Sequence, residues 1–206
     1  MEGIFITIEG GDGSGKSTQI DLLMTYFDAQ GYEVLLTREP GGTVISEKIR
    51  EIILDKDHME MADMTEALLY AASRAQHVQE FIIPNVKKGK VVICDRYVDS
   101  SVVYQGYARG LGIDAVEAIN HYATLGLTPN LTILLDLPPE IGLARKKSQQ
   151  ALDRLELASD DFHVKVNEGY RVLAKRHPER ILPVDATKSI EDIHQVIIKA
   201  IKAIIE

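Results

Sequence analysis

The sequence predicts an α/β fold, a central and mainly five-stranded parallel sheet flanked by helices in three layers. Three observations predict it. Short apolar runs alternate with helical patterns to the end of the chain, which implies right-handed crossovers between parallel strands. Several of those runs are apolar throughout, so both faces of the sheet are covered. A glycine-rich segment separates the first run from the first helical pattern. At 206 residues the chain has the length of one domain, expected to span 1–206.

The elements follow in order. Ile4 to Ile8 is a first strand, closed by Glu9-Gly10-Gly11. Ser17 to Gln30 is helical, with Ile20, Leu23, Met24 and Phe27 on one face and Gly31 at the C′ position. Glu33 to Thr37 is a second strand and Thr43 to Leu54 a second helix. Thr65 to Lys88 reads as a long helix bent near Pro84, because proline removes a backbone donor. Lys90 to Cys94 is an apolar strand ending at Asp95. Ala115 to Leu125 is helical, Leu131 to Leu135 a strand, and Pro139 to Lys147 and Asp160 to Lys175 are helices around a charged stretch. Ile181 to Val184 is a last strand and Ile190 to Ile205 an amphipathic helix.

Composition narrows the function. The chain has 23 basic and 31 acidic residues, net −8, so no general basic surface awaits nucleic acid. No apolar run reaches 18 residues, so no membrane span is expected. Met1 to Ile8 has no basic leader region and reads as strand, and the single Cys94 fits a reducing compartment. A cytoplasmic protein is expected. The six histidines show no H-x-x-x-H spacing and no cysteine joins them, so zinc is not expected.

In an open parallel sheet, ligands sit beyond the strands' C-terminal ends. There Gly10-Gly11-Asp12-Gly13-Ser14-Gly15-Lys16-Ser17 fits G-x-x-x-x-G-K-[ST]. The glycines let successive N–H groups converge on an anion, and the following helix adds its positive end. Lys16 should reach the outer phosphates, the Ser17 hydroxyl should ligate Mg²⁺, and Thr18 starts the helix. This phosphate-binding loop makes the fold one of the P-loop nucleotide-binding type. A guanine-reading N-K-x-D is absent, which disfavours a GTPase switch.

The segments Ile8 to Thr18, Thr37-Arg38-Glu39-Pro40-Gly41-Gly42, Asp95-Arg96-Tyr97, Ser100-Ser101, Tyr104-Gln105-Gly106, Leu131 to Asp136 and Asp153-Arg154 together resemble the thymidylate kinase family, from about Phe5 to Asp185-Ala186. The resemblance implies transfer of the ATP γ-phosphoryl group to dTMP, giving dTDP on the route to dTTP, with Mg²⁺. It also implies a homodimer. It places Arg38 at the acceptor phosphate, Arg96 as a clamp on that phosphate and on the transferring group, and Asp95 either in the Mg²⁺ shell or orienting the acceptor. Tyr70 faces the thymine ring and Arg74 a base carbonyl; alternatively Tyr70 is core and Arg74 reaches solvent along its stem. Ser101 and Gln105 fall near the base edge and Tyr104 beside the sugar 2′ position. Glu9 and Asp12 fall near the sugar or the Mg²⁺ shell, Asp12 on the sugar side.

The loop Gly11 to Ser14 holds no arginine. The resemblance is therefore to members that supply the catalytic cation from a lid, here about residues 143–156. Arg145 and Arg154 are the candidates, with Lys147 behind them; Ser148-Gln149-Gln150 makes this stretch poorer in arginine than the family pattern. Two rivals stay open on the sequence: a kinase for another pyrimidine nucleoside monophosphate, and a non-catalytic nucleotide-binding regulator.

Overall fold

The structure is a computed structural model that describes residues 3–146, 154 and 159–205. Five strands, β1 (Ile4–Gly10), β2 (Val34–Arg38), β3 (Val91–Asp95), β4 (Leu131–Asp136) and β5 (Ile181–Asp185), form one all-parallel sheet in the order β2-β3-β1-β4-β5. The chain first fills one side of β1 and then crosses to the other, so a topological switch point lies at β1. Register decides what gathers there. Ile8 and Arg38 both pair with Asp95, and Gly10 pairs with Leu135, which brings the segments after β1, β2 and β3 to one edge.

Nine α-helices are described: α1 (Lys16–Ala29), α2 (Val44–Leu54), α3 (Asp63–His77), α4 (Ile83–Lys87), α5 (Val98–Ser101), α6 (Ile113–Thr124), α7 (Pro139–Lys146), α8 (Asp160–Arg176) and α9 (Ile190–Ile205). The three layers follow from the pleat, which sends alternate side chains to opposite faces. Ile6, Ile8, Val91, Ile93 and Ile133 meet α1 through Ile20, Leu23 and Phe27, and α9 through Ile193, Ile197 and Ile201. Phe5, Val92 and Cys94 point the other way, onto Val78, Ile82 and Tyr97. Leu134 joins Val102, Val103, Val116, Val166 and Leu173 on that second face. Among the described residues no helix is long and apolar enough to cross a membrane.

One element departs from the sequence reading, and a second lies where it named none. The helix expected over Thr65 to Lys88 begins at Asp63 and is broken by a π-helical turn, Val78–Ile82, before α4. Pro84 explains the widening: it offers no N–H to the preceding turn and its ring needs room there. The turn after Asp95 is α-helical only over Val98–Ser101 and continues as a π-helical segment, Val102–Ala108. Lys147 and Asp153, and most of the expected lid, lie outside the described residues.

Candidate active site

The loop after β1 needs glycine at specific places. Gly10, Gly13 and Gly15 have φ of 140°, 71° and 94°, a region that side-chain-bearing residues avoid. A Cβ on Gly10 would lie 2.7 Å from Leu135 O. α1 has no acidic residue in its first turn, so its positive end is left for an external anion. Lys16 Nζ folds over the loop onto Gly10 O at 3.1 Å and Gly11 O at 3.2 Å. Burial pulls the Lys16 ammonium down to about 8, and the Arg96 charge adds to this against the carboxylates of Asp95, Asp12 and Glu9. Ser17 and Thr18 are exposed at the mouth of the loop, whereas Ser14 is buried. α7 sits on the loop through glycine: a Cβ on Gly13 or on Gly142 would overlap the other segment's backbone. Arg145 follows one turn later and donates from NH1 to Gly13 O at 3.1 Å.

Beside the loop lies an open cleft whose walls include Asp12, Arg38, Tyr70, Arg74, Asp95, Arg96, Ser101, Tyr104 and Gln105. Arg96 closes β3 in a left-handed backbone conformation, φ 65°, a strained state for a non-glycine residue that the surroundings must enforce. Its NH2 reaches Asp12 Oδ1 at 2.8 Å and its NH1 reaches Ser100 Oγ and Tyr170 OH, both at 3.3 Å. The guanidinium also lies over the Tyr104 ring, 5.4 Å from its centre. Asp12 is thus tied to Arg96. Asp95 Oδ1 is buried and has no hydrogen-bond partner among the described residues. Arg38 is half exposed and braced by Pro40 O and Glu47.

Arg74 does not reach solvent, contrary to one of the two sequence readings: it is 2% exposed. Its Nε donates to Glu39 at 2.6 Å, its NH1 to Ser101 Oγ and Asn120 Oδ1, and its NH2 to Tyr97 O at 3.0 Å. Tyr70, half-buried one turn before it, stays in the cleft wall. Gln105 is also buried; its Nε2 donates to Glu66 Oε1 at 2.8 Å, which leaves Oε1 without a partner.

Two expectations are corrected. Glu9 is 0% exposed and does not line the cleft; its carboxylate accepts from Tyr97 N, Ser100 Oγ and Tyr170 OH at 2.7, 2.6 and 2.9 Å. It holds the shell of Arg96 rather than facing a sugar or a metal. Burial pushes its carboxyl up to about 7, the Asp99 charge adds to this, and the Ser100 hydrogen bond and Arg96 charge oppose it. Arg154 is not held over the phosphate loop: it is 4% exposed, donating to Ile53 O at 2.8 Å and to Glu66 Oε2 at 2.5 Å. A guanidinium paired with a fully buried carboxylate is an expensive group to release.

Sequence reasoning missed Tyr170, Ser100, Glu66, Glu39, His77 and Asn120. Tyr170 sits in a helix whose apolar spacing reads as core, and nothing local marks its hydroxyl. Glu66 and His77 share one helix with Tyr70 and Arg74; a buried face bearing Glu, Arg and His at helical spacing was the available signal.

The sign of the Glu9 shift sets a pH dependence. The folded chain keeps a proton that the unfolded chain releases above about 4.5, so stability present below that value falls as pH rises to about 7. Glu9→Gln should flatten that slope, read by urea denaturation across the interval. Arg154→Ala should cost about 1–3 kcal/mol of stability, because Gln105 and Arg109 still hold Glu66, and the exposed Arg145→Ala should cost less.

The thymidylate kinase family model matches residues 8–197. A thymidylate kinase of Geobacillus sp. (strain WCH70) is 50% identical over 208 residues, covering 100% of this chain and 99% of that protein. One of Oceanobacillus iheyensis is 51% identical over 197 residues, covering 95% and 88%. A crystal structure of thymidylate kinase from Ehrlichia chaffeensis superimposes with a TM-score of 0.78 at 30% identity, covering 98% of this chain and 99% of that one. With its glycine loop, its Arg96 cleft and a family match running through nearly all of its length, the chain belongs to the thymidylate kinase family.

Proposed function

We propose that the chain phosphorylates dTMP to dTDP with ATP, and that the loop at 10–17 takes the donor while the Arg96 cleft takes the acceptor. One observation carries this arrangement: the 2.8 Å contact between Arg96 and Asp12 sets the acceptor-side guanidinium directly against the donor loop. An oxygen of the dTMP phosphate attacks the γ-phosphorus, and the bridging bond to the β-phosphate breaks toward the loop. A phosphate oxygen is already ionised at neutral pH, so the step needs no general base and no covalent enzyme intermediate. What it needs is positioning and neutralisation of charge. Lys16, when drawn off the Gly10 and Gly11 carbonyls, reaches the leaving phosphates. Arg96 and Arg38 are the cations for the acceptor phosphate, whose oxygens suit a guanidinium's several donors better than an ammonium. Tyr70, Arg74, Ser101 and Gln105 form the base end, and Tyr104 packs where a ribose 2′-hydroxyl would crowd it.

Mg²⁺ fits the residues present. The buried, unpartnered Asp95 Oδ1 and the exposed Ser17 hydroxyl are the hard oxygen donors such an ion requires. When bound, it would neutralise charge on the ATP phosphates. Of the two lid arginines, Arg145 is the cation we assign to the transferring group, because its contact with Gly13 O keeps it at the loop. The reading of the chain as one catalytic domain is supported by the single five-stranded sheet on whose edge the site segments meet. The free, buried Cys94 fits a reducing compartment, and we place the reaction in the cytoplasm. Homodimerisation is supported by exposed Val44, Ile45 and Ile52 on α2 and Met64 and Leu68 on α3.

Steady-state transfer from ATP to dTMP, dUMP, dCMP, UMP and AMP tests the assignment. Transfer to dTMP should be fastest. dUMP should follow by roughly 10–200-fold, because a single methyl discriminates by no more than that. A preference for AMP or dCMP would refute the thymidylate reading. Lys16→Ala and Arg96→Ala should each lower kcat by about 100-fold or more, measured at a temperature where melting curves show the variant fully folded. In light scattering, Ile45→Asp should shift the mass from dimer toward monomer.

A further inference from the structure

Behind the acceptor cleft, buried polar groups form one continuous chain from β2 to Arg74. Thr37 Oγ1 and His77 Nε2 lie 2.7 Å apart, His77 Nδ1 lies 3.0 Å from Glu39 Oε1, and Glu39 Oε2 accepts from Arg74 Nε at 2.6 Å. All four side chains are buried. The proton positions follow from chemistry. An ionised carboxylate only accepts, so a neutral His77 carries its proton on Nδ1, and Nε2 accepts from the Thr37 hydroxyl. The imidazole also touches the turn after β2: a Cβ on Gly42 would lie 2.6 Å from Nε2 and 2.7 Å from Thr37 Oγ1. Phe81 stacks on its face with 5.8 Å between ring centres.

Cys94 lies close enough to Glu39 and His77 for the trio to be weighed as a metal site. The geometry argues against it. Both ring nitrogens are engaged, and the thiol donates to Arg96 O at 3.0 Å. Burial holds that thiol well above its ordinary range, so it stays protonated. A metal would have to break every one of these bonds and strip the thiol of its proton.

We infer that His77 is a positioning residue for acceptor binding: by holding Glu39 against Arg74 and packing on Gly42, it fixes two of the guanidiniums that line the cleft, Arg74 through Glu39 and Arg38 through its turn. This role rests on the dTMP reading above. His77 is not among the residues that line the cleft, and both guanidiniums it fixes belong to the acceptor side, so its removal should act on that substrate.

The test compares His77→Phe, which keeps a planar ring beside Phe81 but no nitrogen, with His77→Asn, whose amide NH₂ stands in for Nδ1–H. His77→Phe should raise KM for dTMP about tenfold, the size of one hydrogen bond to a charged group, with kcat and KM for ATP unchanged. His77→Asn should restore most of the loss. If thermal melts show that His77→Phe does not fold, His77→Gln, which serves only the Thr37 side, should give the same rise. Imidazole ¹⁵N spectra of the wild-type chain read the tautomer without any substrate and should show Nδ1–H. An Nε2–H tautomer, an unchanged KM for dTMP in the folded variants, or equal rises for dTMP and ATP would overturn the inference. A wild-type chain that shows Nδ1–H yet transfers nothing to dTMP would overturn the activity and the role together, and the spectrum separates that case from a failure of the hydrogen-bond chain.

Discussion

The arrangement depends on the ion pair between Asp12 and Arg96. One partner belongs to a loop built to attract anions, and the other ends the neighbouring strand in a backbone conformation that costs energy to hold. An aspartate among inward-pointing N–H groups is an odd choice until Arg96 is taken into account. The pair fixes a cation at the seam between the glycine loop and the Arg96 cleft. Glu9, Ser100 and Tyr170 then immobilise the guanidinium from behind. The strain at residue 96 and the buried acid at residue 9 are two sides of one constraint.

The same logic recurs at the Arg74 end of the cleft with different residues. Arg74 sits against Glu39 with its other donors used by Ser101, Asn120 and Tyr97 O, and Glu66 gathers Gln105, Arg109 and Arg154. Buried ion pairs of this sort are poor contributors to net stability, because desolvation cancels most of the attraction. Their value is geometric. A guanidinium with several fixed partners has one orientation, and an amide whose nitrogen faces a carboxylate must turn its oxygen the other way. The cleft is therefore organised before any nucleotide enters, which reduces the ordering cost of binding.

Much of this was legible in the sequence, for identifiable reasons. Period and punctuation located all five strands, because continuous apolar runs such as Val91 to Cys94 have no other stable fate than a covered sheet. The phosphate loop was legible because backbone geometry leaves little choice but glycine at its turning points. Arg38, Asp95 and Arg96 were named because they stand at the C-terminal ends of strands in motifs that resemble the family, and the register sets those ends side by side. What stayed hidden depends on pairing across long separations. Nothing near Arg154 announces that its partner is Glu66, and nothing near Glu9 announces Tyr170. A carboxylate after a first strand reads as a ligand-facing group until the register shows it turned inward. The π-helical turns were equally silent, since Pro84 marks a disturbance without saying what form it takes.

The meeting of Gly13 with Gly142 has a consequence for how this enzyme could change over evolutionary time. Two segments far apart in sequence share a boundary where neither tolerates even a methyl group, so drift at one site is answerable to the other. A larger side chain at either would lift the helix that carries Arg145 and carry its charge away from the glycine loop. The reach of that cation is set by two atoms that the chain omits.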